Sequence, residues 1–525
     1  MPGFIEGAIT MVQTYAPEPF TDFTREDARR RMTEALDAVT ARLGEHYPLV
    51  IAGQRVETVT HFPSLNPSAP SETVGYAASG TAAHVEQAMA GAQAAFAAWS
   101  RVGHAARGRV LLRAAAIMRR RKFELSAWEV LEAGKSWPEA DGDVAEAIDF
   151  LEYYGRQAID LETPTPVTQL PREEDALDYI PLGVGLVISP WNFPLAIPTG
   201  MVSGPIAGGN AVIFKPAEQT PVIAYKLVEI MEEAGLPAGV LTFLTGDPET
   251  VGEPLVVHPR TRFISFTGSR PVGLRINRLA ADLAPGQIWI KRVIAEMGGK
   301  DAIVVDSSAD LDSAAQGIVT SAFGFQGQKC SACSRAILLD DVYDAVLADV
   351  ASRAERLVVG PTHAYENAVG PVIDEDAYRN ILRYIEIGRG EGRLVTGGAA
   401  AESPGYFIRP TVFADVAPDA RIAQEEIFGP VLTVIRARDY DHALEIANGT
   451  VYALTGAVYA RDRAKLERAR REFNVGNLYF NRKCTGAIVG AHPFGGFNLS
   501  GTDAKAGGPD YVKLFMQQKS VAEAF

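Results

Sequence analysis

"YIPLGVGLVISPWNFPLAIPTGMVSGPIAGGNAVIF", Tyr179 to Phe214, carries no charged residue. A run this long and apolar can cross a membrane as one helix. Its punctuation argues otherwise. Pro190, Pro194, Pro198 and Pro205 lie inside it, with Gly183, Gly185, Gly200, Gly204, Gly208 and Gly209. A continuous helix does not survive that density of breakers. The run reads as a buried strand, an apolar loop and a second strand, and no transmembrane segment is expected.

The same grammar continues downstream. "NAVIFKP" is followed by a helix, "PVIAYKLVEIMEEAGLP", and then by "VLTFLTG". "RFISFTGS" precedes a helix, "PVGLRINRLAADLA", and then come "KRVIAEMGG" and "DAIVVD". Short apolar strands alternating with helices predict a parallel, doubly wound sheet with both faces covered. A second alternating series runs from about residue 300 to 480. Upstream, Met32, Leu36, Val39 and Leu43 recur at helical spacing. "PLVIAGQRVETVTHFPSLNP" reads as a short hairpin turning at Ala52-Gly53, and helices are expected around 81–100 and 104–133. "LETPTPVTQLPREEDALDYI" is rich in Pro and Thr and reads as an extended arm. No internal repeat is evident.

A chain of 525 residues is too long for one core, so two or more domains are expected. Its net charge of −14 argues against a nucleic-acid partner, which needs a basic face. An anionic small molecule stays possible, because a few backbone N–H groups can hold one locally. Three cysteines make no disulfide framework and point to a reducing cytoplasm. The start, "MPGFIEGAITMV", has no Lys or Arg before its apolar residues and does not read as a secretory signal.

Two of those cysteines, Cys330 and Cys333, stand in "FQGQKCSACSR". A structural zinc site needs four ligands, and Cys484 is the one other thiol, with eight scattered histidines. A redox dithiol usually opens a helix near the start of a small βαβ unit. This pair instead follows a helix, "DLDSAAQGIVTSAFGFQG", and precedes a strand, "SRAILLD". A polar loop between helix and strand can present a nucleophile to a cleft. Taken alone, Cys330 is better read as a small buried hydrophobe. Its company changes that. Asn192 in "ISPWNFP" is a neutral donor suited to an oxyanion. Glu296 in "AEMGGK" is suited to general base work on a water. Lys215 and Glu218 end a strand, and Gly268 and Gly273 mark a strand–helix junction, where an open α/β sheet binds a dinucleotide. The G-x-G-x-x-G spacing is missing there.

"PWNFP", "FKPAEQTP", "FTGS", "EMGGK", "GQKC", "EEIFGP" and "PFGGF" occur in the order found in the aldehyde dehydrogenase superfamily, which this sequence resembles over nearly its whole length. The resemblance implies an α/β fold of two doubly wound domains plus a small β oligomerisation arm. Residues 1–160 and 182–297 would form a split NAD-binding domain, 298–497 the catalytic domain, and 161–181 with 498–525 the arm. It makes Cys330 the nucleophile and Cys333 a bystander, with Asn192 on the oxyanion and Glu296 as base. It places Lys215 and Glu218 on the adenine-side ribose, Gly268 and Ser269 near the pyrophosphate, and Glu426 and Phe428 at the nicotinamide end. The cofactor implied is NAD, with NADP weaker, and no metal.

"GQIWIKRVIAEMGGKDAIVVD" and the tail from "TGAIVGAHPFGGF" onward are similar to the branch that oxidises L-glutamate γ-semialdehyde in proline catabolism, in its stand-alone form. That likeness implies Ser331, Gly486 and Ala487 as anchors for the substrate carboxylate, with Phe193 and Phe494 as walls. It also implies a homodimer or a hexamer of three dimers, and a proline dehydrogenase as a possible partner. The rivals are a dehydrogenase for another small semialdehyde, a cysteine hydrolase, and a non-catalytic protein on the same fold.

Overall fold

The computed structural model describes residues 14–401 and 403–525, so the start read above for a secretory signal lies outside the described residues. One seven-stranded sheet runs in the order Arg292–Glu296, Phe263–Thr267, Val184–Ile188, Ala211–Lys215, Leu241–Phe243, Leu49–Ile51 and Gln54–Val56. Its first five strands are parallel. The last two form the hairpin expected at Ala52-Gly53, where φ is 51° and 76°. Two successive positive φ values suit a hairpin whose turn follows the strand twist. The sheet grows from Val184–Ile188 in both directions. Its order therefore reverses between that strand and Phe263–Thr267, and the loops leaving these two strands open on one crevice.

The uncharged run does form two buried strands, but the stretch between them is not all loop. Ala196–Ala207 is a helix with every residue but Ile197 buried. A helix apolar all round belongs inside a protein. The helix expected over 104–133 is also two helices, His104–Arg120 and Lys122–Ala133, broken where Arg121 takes φ −96° and ψ 12°. No Gly or Pro marks that break. Beyond it the second helix turns into the core and is buried on nearly every face. The stretch after the hairpin joins a separate sheet, in which Ala69–Ala78 pairs with both Glu45–Tyr47 and His61–Asn66.

A second seven-stranded sheet runs in the order Arg393–Thr396, Thr411–Ala414, Val431–Ala437, Cys333–Leu339, Asp301–Val305, Thr455–Tyr459 and Asn477–Phe480. Only its edge strand Arg393–Thr396 is antiparallel to its neighbour. The chain passes from Glu296, at the end of one sheet, to Asp301, in the middle of the other, through Met297, Gly298, Gly299 and Lys300. That short link sets the C-terminal edge of the first sheet against the N-terminal edge of the second. Glu173–Pro181 and Met516–Ala524 pair antiparallel into an exposed ribbon. Among the described residues no helix is long and apolar enough to cross a membrane.

Gly185 shows how tightly the first sheet is packed. A Cβ there would lie 1.9 Å from the ring of Phe263. Gly185→Ala is expected to cost about 1–3 kcal/mol by overpacking, measured as a lower urea midpoint.

Candidate functional site

Helix Leu311–Phe323 ends in a loop that no ordinary turn explains. Phe325 and Gln326 stand at φ 48° and 57°, followed by Gly327 at 68°. The Gln326 amide holds this shape by donating to the carbonyls of Gly134 (3.1 Å) and Pro371 (2.8 Å). Cys330 follows, half-buried as a residue and unpaired by any disulfide. Among the described residues its backbone N–H donates to nothing. The buried Asn192 side chain reaches across from the first sheet and donates to the Gln328 carbonyl at 3.1 Å. The Asn192 amide and the thiol loop are thus joined directly. Burial, then Asp301, Glu426, Glu296 and Glu146, push the Cys330 thiol well above its usual range. Cys333 and Cys484 are buried, and Cys484 Sγ donates to the Ser331 carbonyl at 3.4 Å. Among the described residues no cluster of His, Cys, Asp and Glu could hold a metal.

Glu296 ends the edge strand of the first sheet. Its Oε2 accepts from the Gly496 N–H (3.1 Å) and its Oε1 from the Ala504 N–H (3.3 Å). The carboxyl is thereby turned toward the loop between those residues. Burial raises it to about 8, against the pull of the two N–H groups.

The dinucleotide candidates line the crevice. Lys215 Nζ lies 2.7 Å from Glu218 Oε1. Gly268 donates to the Glu296 carbonyl at 3.1 Å, and Ser269 directly precedes the helix Arg270–Ala281. That helix opens at the sheet's point of reversal, where its free N–H groups favour an anion. Glu426 accepts from the Gly299 N–H at 3.0 Å and is raised to about 7 by burial. Phe428, at φ 58°, meets Trp191 edge to face at 5.4 Å. A carboxylate at a strand end, a helix N-terminus at the switch point and a second carboxylate beside the thiol loop fit a dinucleotide.

The substrate candidates come from several loops. Gly486 stands at φ 73°, and among the described residues neither its N–H nor that of Ala487 donates a hydrogen bond. Arg482 fixes this turn by donating to the carbonyls of Thr485 (3.0 Å) and Gly486 (2.9 Å). Ser331 is 8% exposed. Phe193 packs edge to face with Phe325 at 6.3 Å. Phe494 exchanges backbone hydrogen bonds with Ala506 at 2.8 and 2.7 Å. Two carboxylates escaped the sequence reading. Glu139 and Glu146 lie two turns apart on one face of helix Trp137–Asp160. Glu139 is paired with Lys329 at 2.7 Å. Glu146 is raised to about 8, by burial and then by Asp143, and its charge is felt at the Cys330 thiol.

The aldehyde dehydrogenase family pattern matches residues 55–521. The chain belongs to the aldehyde dehydrogenase family. It is 61% identical over 515 residues to the 1-pyrroline-5-carboxylate dehydrogenase of Geobacillus thermodenitrificans, covering 98% of this chain and 100% of that one. It matches the crystal structure of 1-pyrroline-5-carboxylate dehydrogenase from Thermus with bound NAD at a TM-score of 0.97 and 57% identity, covering 98% and 100% of the two chains. Proline utilization A from Bdellovibrio bacteriovorus matches at a TM-score of 0.96 and 46% identity, over 97% of this chain and 53% of that one. All the candidate residues of this aldehyde dehydrogenase lie inside the matched span.

The raised Glu296 carboxyl has a consequence for stability. Its native form keeps its proton up to about pH 8, while the unfolded form loses it near 4.3. Between those values the native state binds more protons, so this group's contribution to stability falls as pH rises. Glu296→Gln removes the dependence. The urea midpoint of Glu296→Gln relative to wild type is expected to rise from pH 5 to pH 8 and to level off above.

Proposed function

We propose that the chain is an NAD-dependent dehydrogenase that oxidises L-glutamate γ-semialdehyde, the open form of 1-pyrroline-5-carboxylate, to L-glutamate in proline catabolism. One observation carries this reading. The Asn192 amide is bonded to Gln328 of the loop that carries the Cys330 thiol and its free N–H, and among the described residues a second pair of free N–H groups stands at Gly486 and Ala487. The first set suits an aldehyde, and the second suits a carboxylate on the same small molecule.

Cys330 Sγ, once deprotonated, attacks the aldehyde carbon and the carbonyl oxygen becomes an oxyanion. Asn192 Nδ2 and the Cys330 N–H donate to it, an interaction worth roughly 3–4 kcal/mol in other enzymes. Loss of hydride from the adduct leaves a thioester on Sγ. NAD, when bound, supplies the hydride acceptor. Glu296, leaving the amides of Gly496 and Ala504 and ionised, takes a proton from the water that attacks the thioester. The acid departs and the thiol is restored.

Glu218 would accept from the hydroxyls of the adenine-side ribose and would repel a 2′-phosphate. Its carboxylate, paired with Lys215, offsets the attraction that Lys215 would offer such a phosphate. NAD is therefore preferred over NADP. Gly268 and Ser269 would hold the pyrophosphate, and Glu426 and Phe428 would hold the nicotinamide end. Ser331, Gly486 and Ala487 bind the α-carboxylate, and Phe193 and Phe494 flank the aliphatic part.

The domain division is that of an aldehyde dehydrogenase, with the ribbon Glu173–Pro181 and Met516–Ala524 as the oligomerisation arm; of the expected 498–525, the part before the ribbon packs into the first domain, where Tyr511, Val512 and Phe515 are buried. An exposed ribbon with no core of its own is stabilised by joining a neighbouring copy. The unit is a homodimer, or a hexamer of three dimers, working in the cytoplasm with a proline dehydrogenase as the source of substrate.

Absorbance of NADH, with NAD and 1-pyrroline-5-carboxylate beside succinate semialdehyde and propanal, tests the reading. Strong selectivity for the first is expected, and Cys330→Ala should bind NAD without turnover. NADH from the other aldehydes alone would remove the carboxylate anchor. Glu296→Gln is expected to keep its first turnover of NADH and to slow the steady state. Loss of the burst with an unchanged steady state would overturn its role as base.

A further inference from the structure

Beneath both the Asn192 loop and the Cys330 loop lies a charged group that neither sequence motif includes. Lys135 is fully buried. Its Nζ lies 2.5 Å from Asp143 Oδ2 and 3.5 Å from Glu129 Oε2, both residues also fully buried. The same ammonium stands 4.1 Å from the ring centroid of Phe193 and 4.7 Å from that of Phe325. Asp143 uses its other oxygen, Oδ1, to accept from the Ala196 N–H at 2.6 Å, just past the Asn192–Phe193 turn. Gly134, next to Lys135, gives its carbonyl to the Gln326 amide that shapes the thiol loop.

We propose that Lys135 is a positioning residue for the oxidation, a buried cation that aligns Asn192 and Phe193 with Cys330. It does so by gripping one aromatic ring from each loop and by fixing Asp143 under Ala196. This rests on the assignment of Asn192 and Cys330 to the reaction. The physical logic is that of a desolvated cation. An ammonium between two ring faces is attracted to both, and more strongly away from water. Asp143 balances its charge. Burial opposes the charged form of Lys135, but the Asp143 charge outweighs it and the ammonium stays charged. Burial and the Asp143 charge raise Glu129, so the third member holds its proton and the cluster is near neutral. A neutral cluster can persist in the interior where a lone charge cannot.

Lys135→Met keeps the length of the side chain and removes the cation. Lys226→Met is the control. Lys226 is as deeply buried, lies 4.9 Å from the Tyr47 ring centroid and 3.1 Å from Glu229, and belongs to neither loop. The measurements are kcat and KM for the aldehyde, the dissociation constant for NAD, and Tm, on purified full-length protein. Lys135→Met is expected to lose about 100-fold in aldehyde kcat/KM, the scale of a small misalignment at the reacting atoms. Its NAD affinity and Tm should match those of Lys226→Met, which should keep wild-type turnover. A Lys135→Met enzyme within threefold of wild type, or one whose NAD affinity falls as far as its turnover, would overturn the proposal. If Lys135→Met does not fold, Phe325→Leu removes one ring without unpairing a charge. It should lose about tenfold in kcat/KM, and unchanged turnover would overturn the proposal. Wild-type NADH production with each aldehyde is recorded first. Its absence would remove the functional assignment, whereas a variant-to-wild-type ratio near one would remove Lys135 alone.

Discussion

Two consecutive residues with side chains, Phe325 and Gln326, are held in the left-handed region. Each costs roughly 1–2 kcal/mol relative to ordinary backbone. Nothing local repays this. The Gln326 amide makes two hydrogen bonds, worth about 0.5–1.5 kcal/mol each, to Gly134 and Pro371, which lie far from it in sequence. Phe325 is 1% exposed, and burying such a ring contributes about 1.5–3 kcal/mol. The loop that presents Cys330 is therefore a product of tertiary structure. Its shape exists only when the two sheets and the helices over them are already assembled.

Charge at the site runs against first intuition. A nucleophilic thiol is commonly activated by nearby cations, yet Cys330 is surrounded by Asp301, Glu426, Glu296 and Glu146, which favour its neutral form. The same carboxyls are themselves desolvated, and Glu296, Glu146 and Glu426 are raised to about 8, 8 and 7. Near neutral pH much of this group is protonated, so the pocket is less anionic than a count of its residues suggests. Bound groups carrying positive charge would shift the balance toward thiolate and carboxylate together. The net −14 of the chain says little about the pocket, where free backbone N–H groups can offer an anion local positive charge.

The strands of both sheets were legible because parallel strands covered on two faces read as short, continuous apolar runs, as at Val184–Ile188 and Asp301–Val305. The turn at Ala52-Gly53 was legible because its chemistry is local. Cys330, Asn192 and Glu296 stood out because each sits in a Gly- or Pro-marked loop at a strand end. The break at Arg121 was not, since no breaker residue marks it and only the packing of Lys122–Ala133 requires it. Glu146 and Lys135 were missed for one reason. Charged residues are nearly always solvated, and only the fold shows that these two face inward. The one local hint was Gly134, which caps helix Lys122–Ala133 at φ 67° and leaves Lys135 on an irregular segment.

The four-residue link from Glu296 to Asp301 explains why the site can be made of two sheets at all. It is too short to let the sheets drift apart, so the last residue of one strand and the loop before Cys333–Leu339 must face each other. Its glycines serve the same end. A Cβ on Gly298 would lie 2.1 Å from Glu426 Oε2, and one on Gly299 would lie 2.3 Å from the Cys330 carbonyl. The link therefore has to be bare where the thiol loop and the buried carboxylate press against it. "EMGGK" is a spacing device as much as a source of a carboxyl: it brings Glu296, Glu426 and Cys330 together by leaving no room for anything else.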